Sequence, residues 1–217
     1  MTISMEDLLK SILDSFDRME YIKSEDIPNI DLYMDQVTTF MEKRLKNTTR
    51  NPEEDKILTK TMINNYAKNH LLPPPEKKKY TKEHMLVLLF IYYFKGVLSI
   101  GDIQTLLNPI TEQFFNKENG FKLEDIYEEV FSLEDGEVAY LKEDVEKKFK
   151  ASQEVFQDAP EESQAFLRQF AFVCMLSYDV YVKKLLIEKI IDGMRQENEA
   201  KHAGKKESKR EAKKETK

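Results

Sequence analysis

"TKTMINNYAKNHLLPPPEKKKYTKEH", residues 59–84, decides how the chain is read. On a helix from Thr59 to His70, residues Met62, Ile63, Tyr66, Ala67 and His70 gather on one side. Lys60, Thr61, Asn64, Asn65 and Lys68 fall on or beside the other. The first set suits a core. The second holds amide, hydroxyl and ammonium donors and no acid, the groups that meet phosphates and base edges in a major groove. Three consecutive prolines, Pro73 to Pro75, then forbid continuation of the helix and favour an extended path. Lys77, Lys78 and Lys79 project as a cluster, with Tyr80 placed to pin the segment back on the core. A protruding basic segment beside a polar helix is the physical plan of a winged helix-turn-helix, in which the helix enters the groove and the wing grips the flanking backbone.

The rest of the chain bounds this expectation. It has 217 residues, 34% charged and 41% hydrophobic, enough for one good core plus a helical appendage. Only 6 glycines and 7 prolines disfavour a turn-rich all-β fold. The net charge is −6, so polyanion binding must rest on a local basic patch. Against that background, a span from Leu58 to Glu76 with one acid, Glu76 itself, stands out. The only cysteine is Cys174, so no disulfide framework forms within the chain; its apolar neighbours suggest a core filler. The N-terminus has no basic leader, and the longest apolar runs fall short of the roughly 20 residues that span a bilayer. A cytoplasmic protein without membrane partners is expected.

Local signals place further helices. Ser4 with Asp7 has capping-box spacing ahead of Met5, Leu8, Leu9, Ile12, Leu13, Phe16 and Met19. A second helix is predicted from Asp31 to about Lys46, with Leu32, Val37, Phe40, Met41 and Leu45 inward, and "NTTRNPEED" reads as a loop. Thr81 is placed to cap a fourth helix that Gly96 ends, and Ser99 with Asp102 to cap a short one closed by Asn108 and Pro109. The acidic stretch from Thr111 to Glu146 packs through Phe121, Ile126, Tyr127, Val130 and Phe131, with breaks at Gly120 and Gly136. After Pro160 a long helix runs to about Met194. Its residues Phe166, Val173, Val180, Ile187 and Met194 fall seven apart, a candidate dimer seam, with packing inside one chain as the other possibility. From Arg195 onward a charged tail extends the helix or is disordered.

The stretch "TMINNYAKNHLLPPPEKKKYTKEHMLVLLFIYYFKGVLSIGDIQTLL" resembles the DNA-binding domain of MerR-type regulators. That pattern carries a Leu-Arg-Tyr-Tyr run, Gly-Leu-Leu-Pro-Pro, a basic wing, Arg-Tyr, a helix and Gly-x-Ser-Leu-x-x-Ile-x-x-Leu-Leu. Ile63, Tyr66, Leu71, Leu72, Pro73, Pro74, Tyr80, Ile91, Ser99, Ile103, Leu106 and Leu107 fit it. The whole chain more closely resembles an uncharacterised bacterial family, a domain of unknown function related to those regulators, through "DLYMDQVTTFMEK", "LTKTMINNYAK" and "KKYTKEH". Asparagine, Asn64 or Asn65, stands where the pattern has arginine. The wing is shorter and lacks Gly-Tyr-Arg, and the loop before the Thr59 helix is longer than a standard turn.

Patterning and the resemblance, which covers about residues 31–108, together give a mainly α protein in four parts: an N-terminal helix (1–30), a MerR-like winged helix-turn-helix with a minimal wing (31–110), a helical C-terminal region (111–194) and the charged tail (195–217). The resemblance implies a DNA-binding transcriptional regulator, with double-stranded DNA as one partner and a second copy of the chain, in a homodimer, as the other. Asn64, Asn65 and Lys68 would face the groove; Lys60, Thr61 and Lys77 to Lys79 would meet phosphates. The rival is a helical protein-interaction module that keeps the fold without binding DNA, favoured by net acidity, the missing arginine and the reduced wing. No phosphate loop, nucleophile motif or catalytic dyad is legible, so no enzyme and no cofactor are expected. His70, His84 and His202 lack useful ligand spacing, so no metal is expected. The sequence names no effector.

Overall fold

A computed structural model describes residues 4–16, 21–117, 119–133 and 137–215 and, apart from Phe16, the side chains of those up to residue 200. The described chain is mostly helical, with α1 (Met5–Phe16), α2 (Met34–Leu45), α3 (Lys60–Lys68), α4 (Lys82–Phe94), α5 (Ile100–Phe114), α6 (Leu123–Ser132), α7 (Glu137–Gln153) and α8 (Glu161–Glu215). Two two-residue strands, β1 (Leu32–Tyr33) and β2 (Lys79–Tyr80), pair antiparallel with Leu32 opposite Tyr80 and Tyr33 opposite Lys79. The expected mainly α class is what the chain adopts.

α4 is the centre. Met85 through Ile91 are consecutively buried, and a helix apolar all round must be surrounded by others. Val37, Met41 and Leu45 of α2, Ile63 and Tyr66 of α3, Ile103 and Leu107 of α5, and Leu123, Tyr127 and Phe131 of α6 join it in one core. Each fully buried large aliphatic side chain contributes about 1.5–3 kcal/mol relative to exposure. Residues before β1 belong to the same core. Tyr21 stacks on Phe131 with ring centroids 4.7 Å apart, and the Tyr127 hydroxyl donates to the Ile22 carbonyl at 2.6 Å. The core therefore draws on residues on both sides of 31–110. Phe121 and Val130, expected to pack, are exposed.

The caps follow local chemistry. Ser4 Oγ accepts the Asp7 N–H at 3.1 Å, and Ser99 Oγ accepts the Asp102 N–H at 3.2 Å, each satisfying an orphan donor of a first turn. Asn108 and Pro109 do not close α5, which runs through them to Phe114. The proline removes only the N–H that would meet the Thr105 carbonyl. Burial of Ile103 and Leu107, with Ile110 and Phe114 packed against the core, outweighs that loss. Gly120 breaks the chain before α6 with a φ of +85°, which glycine adopts without a Cβ penalty. Gly136 and Met19 lie outside the described residues.

α8 is far longer than expected. Its 55 residues rise about 80 Å, and the charged tail continues it as helix to Glu215. Several contacts anchor it, the Lys148–Asp179 ion pair with α7 among them. Phe172 joins Leu13 of α1 and Val145 of α7 in a small second core, and Ile191 enters the main core. Arg195 then donates to Asp102 at 2.9 Å. Between Phe172 and Ile191 no side chain of α8 is buried. Phe166 and Val180 are 68% and 63% exposed, Val173 and Ile187 are exposed too, and Met194, also exposed, borders a groove beside Phe90 and Phe94 of α4. Cys174 lies on this uncovered stretch and is exposed, which corrects its reading as a core filler. α7 covers the face of α8 that carries Phe172 and Leu176 and ends in the Lys148–Asp179 ion pair, and Cys174 lies on another face.

Candidate nucleic-acid interface

α3 is shorter than residues 59–70. Thr59 is its N-cap, with Oγ1 accepting the Met62 N–H at 3.2 Å. Asn69 ends the helix, and His70 follows in the left-handed region with a φ of 57°. That turn lets the Leu71 N–H reach back to the Tyr66 carbonyl at 2.9 Å, a closing pattern that usually employs glycine. Ile63 and Tyr66 are buried, and burial raises the Tyr66 phenol pKa. Thr61, Asn64, Asn65 and Lys68 form one exposed stripe at i, i+3, i+4, i+7 spacing. The helix contains no acid.

Both ends of α3 are tied down. Lys95, after α4, donates its ammonium to the Ile57 carbonyl at 2.5 Å just before the cap. Gln104 of α5 donates to the Asn69 carbonyl at 2.7 Å just after the last turn. The polar stripe is therefore carried by a braced helix. Lys60 is exposed but forms an ion pair with Asp35 in the first turn of α2, so its charge is partly answered within the chain.

The lysine segment folds as a tight hairpin. The Lys79 N–H donates to the Glu76 carbonyl at 2.8 Å, and Lys77 and Lys78 between them have φ of 48° and 64°. Two successive positive φ values define the hairpin turn that matches strand twist and normally selects Asn-Gly. Lysine carries a Cβ there, at a cost of about 1–2 kcal/mol per residue. Lys77 and Lys78 are exposed at the tip, while the Lys79 ammonium lies 5.7 Å from the centre of the Tyr33 ring. Tyr33 and Asp35 thus set the hairpin and the start of α3 against the same short segment of chain, bringing Lys79 and Lys60 to one edge of the fold.

Tyr80 is buried beneath the hairpin, where burial raises its pKa, and its ring meets His84 edge-on at 5.5 Å. The Thr81 N–H donates to His84 Nδ1 at 3.0 Å, so the neutral ring carries its proton on Nε2. Nε2 is buried and makes no direct hydrogen bond. Burial lowers the imidazole pKa, opposed by the nearby Pro74 and Pro73 carbonyls. His70 is exposed at the end of α3, apart from this ring, and the side chain of His202 lies outside the described residues.

Sequence reading missed a second set of cations. A groove between α2 and the approach to α3 is lined by Lys43, Lys46, Lys56 and Lys60 against one acid, Glu42, with Thr38 and Thr39 among its walls. Lys46 is paired with Glu53 at 2.9 Å, but Lys43 and Lys56 have no ion-pair partner among the described residues. The run "EKRLK" at 42–46 held a signal; its juxtaposition with Lys56 depended on how the loop folds. Among the described residues no group of His, Cys, Asp and Glu is placed to hold a metal, and no helix is long and apolar enough to cross a membrane.

Residues 22–130, half of the chain, match the sequence model of a family described as Domain of unknown function (DUF1836). No curated protein matches. No solved structure matches.

Proposed function

The chain belongs to the DUF1836 family, and on that premise we propose that it is a cytoplasmic DNA-binding transcriptional regulator of MerR-like, winged helix-turn-helix type. α3 enters the major groove and the lysine hairpin meets the flanking backbone. The observation that carries this is the pairing of an acid-free, braced polar stripe with a hairpin whose two strained tip positions are both lysine. A residue held in a disfavoured backbone region where Asn-Gly would fit better points to a role for its side chain. The resemblance gains support at His70, which takes the left-handed conformation where the MerR pattern has glycine.

In this function the contacts divide by type. Lys77, Lys78, Lys79, Lys60 and Thr61 engage phosphates and fix register. Asn64 and Asn65 present amides that can pair with the N6 and N7 edge of adenine, beside Lys68. The exposed seam of α8 joins two copies, so that two such helices read paired half-sites.

The rival, an interaction module that keeps the fold without DNA, is favoured by the Lys60–Asp35 pair and by the net charge of −6. Binding of the full chain to random duplex DNA across a salt series separates them. Each neutralised phosphate contributes a slope of about −0.9 in log K against log salt. A salt-dependent complex that weakens when Lys77, Lys78 and Lys79 are replaced together by alanine supports the regulator. Absence of any complex at low salt supports the module.

A further inference from the structure

The connection between α2 and α3, residues 46–59, is long for a helix–helix link, for which about 2–8 residues is usual. It folds over the end of α4 and, with Tyr21, lines an open cleft of about 590 Å³, within the size range of small-molecule sites. Its chemistry is two-sided. Tyr21, Tyr92 and Tyr93 contribute rings, and Arg50, Lys56 and Lys95 contribute cations. The acid in the wall, Asp55, is engaged by the Asn51 N–H at 2.9 Å. Arg50 and Lys56 have no carboxylate partner among the described residues. The Lys95 ammonium lies 4.7 Å from the centre of the Tyr92 ring and spends one of its three N–H donors on Ile57. Burial lowers the Lys95 pKa, a cost that an anion beside it would offset.

We propose that this cleft binds a small planar anion, an aromatic ring bearing a carboxylate or phosphate group. The ring lies against the tyrosines and the anionic group meets Arg50, Lys56 and Lys95. Three cations against one carboxylate disfavour a cationic ligand, and the three tyrosine rings in the wall favour a flat one. Because Lys95 also holds Ile57, two residues ahead of the Thr59 cap, an occupant shares the clamp that orients α3. That regulatory consequence rests on the DNA-binding function; the binding itself does not.

The test is calorimetry on the full chain without DNA, so failure to bind DNA leaves it untouched. The probes are 2-naphthoate and adenosine 5′-monophosphate, with neutral 2-naphthamide and inorganic phosphate as controls. At least one aromatic anion is expected to saturate, and its carboxylate or phosphate identifies the source of the charge. Both controls should bind at least about tenfold more weakly. Arg50→Ala with Lys56→Ala, both exposed, should weaken the anion by a similar factor while the circular dichroism and Tm stay as in the parent. Three results would overturn the proposal: no saturation by either aromatic anion in the millimolar range, undiminished binding to the double variant, or a control that binds as tightly as the aromatic anion.

Discussion

Thr81 donates its backbone N–H to Nδ1 of His84 at 3.0 Å, so the ring that completes the cap of α4 is also the buried ring on which Tyr80 and the lysine hairpin rest. Protonation of this ring should therefore be felt in stability. Burial holds the His84 pKa below its ordinary value near 6.5, so the unfolded chain binds the proton more readily than the folded one. By linkage, the contribution is fully present above about pH 6.5 and is lost as pH falls toward the folded value. Urea midpoints should therefore drop between about pH 7.5 and about pH 5.5. His84→Gln keeps a capping-box acceptor at the same position and removes the titration, so its midpoint should change less over that interval. Parallel pH profiles for the two proteins would assign the effect elsewhere.

At the hairpin tip, stability and DNA affinity should part. Lys77→Asn with Lys78→Gly places the residues that a turn with two positive φ values prefers. Glycine relieves the left-handed strain at its position fully and asparagine, which keeps its Cβ, only in part, so the chain should gain at least about 1–2 kcal/mol. For a chain of this length, that corresponds to a rise in Tm of about 2–8 °C. DNA affinity should move the other way, with the salt slope flattening by about 0.9 for each phosphate that is no longer neutralised. A variant that is both more stable and equally tight on DNA would remove the tip lysines from the interface.

The two faces of α3 and the helix caps are legible in the sequence. Ile63 and Tyr66 against Asn64 and Lys68 segregate by helical spacing, and Thr59, Thr81 and Ser99 meet partners only three residues away, so both signals are local. What the sequence does not display depends on distance along the chain. Pro109 reads as a stop, yet the core holds α5 through it. Lys60 reads as available, yet Asp35, twenty-five residues earlier, meets it. Lys77-Lys78 carries no Asn or Gly to announce its turn, because the conformation is imposed by pairing of Lys79 and Tyr80 with Tyr33 and Leu32. Cys174 sits in an apolar run that on this sequence alone means core, and only which face of α8 meets α7, the face of Phe172 and Leu176, decides otherwise.

The two faces of α3 should respond oppositely to truncation. Ile63 is fully buried, so Ile63→Ala should cost about 2–5 kcal/mol through lost transfer energy and the cavity left behind. Asn64→Ala, on the exposed stripe, should change stability by no more than about 0.5 kcal/mol. If its amide reads a base, the same change should weaken a preferred site by about 1–3 kcal/mol and leave random duplex nearly unaffected. Denaturant titration beside competition binding separates the two effects. Equal loss on preferred and random DNA would reassign Asn64 from base reading to backbone contact.

The long helix carries the last test. α8 is anchored at Phe172, with Leu176 beside it, and at Ile191, and most of the apolar residues between them, Val173, Val180 and Ile187 included, are exposed. The rise between the two anchors, about 28 Å, holds Val173, Val180 and Ile187, with Phe166 and Met194 just outside. Contiguous exposed apolar surface on this scale marks an interaction site, and the seven-residue spacing suits another helix of the same kind. Sedimentation equilibrium at micromolar concentration should therefore report twice the chain mass of 25.6 kDa. Val180→Glu with Ile187→Glu should return the monomer mass with little loss of helix, since neither side chain is buried within the chain. Phe172→Ala should behave differently. It removes the aromatic anchor shared with Phe149, whose ring centroid is 5.4 Å away, and should cost about 3–5 kcal/mol in the packing of α1, α7 and α8. A parent protein that sediments at 25.6 kDa would defeat the dimer and leave the exposed seam for a different partner.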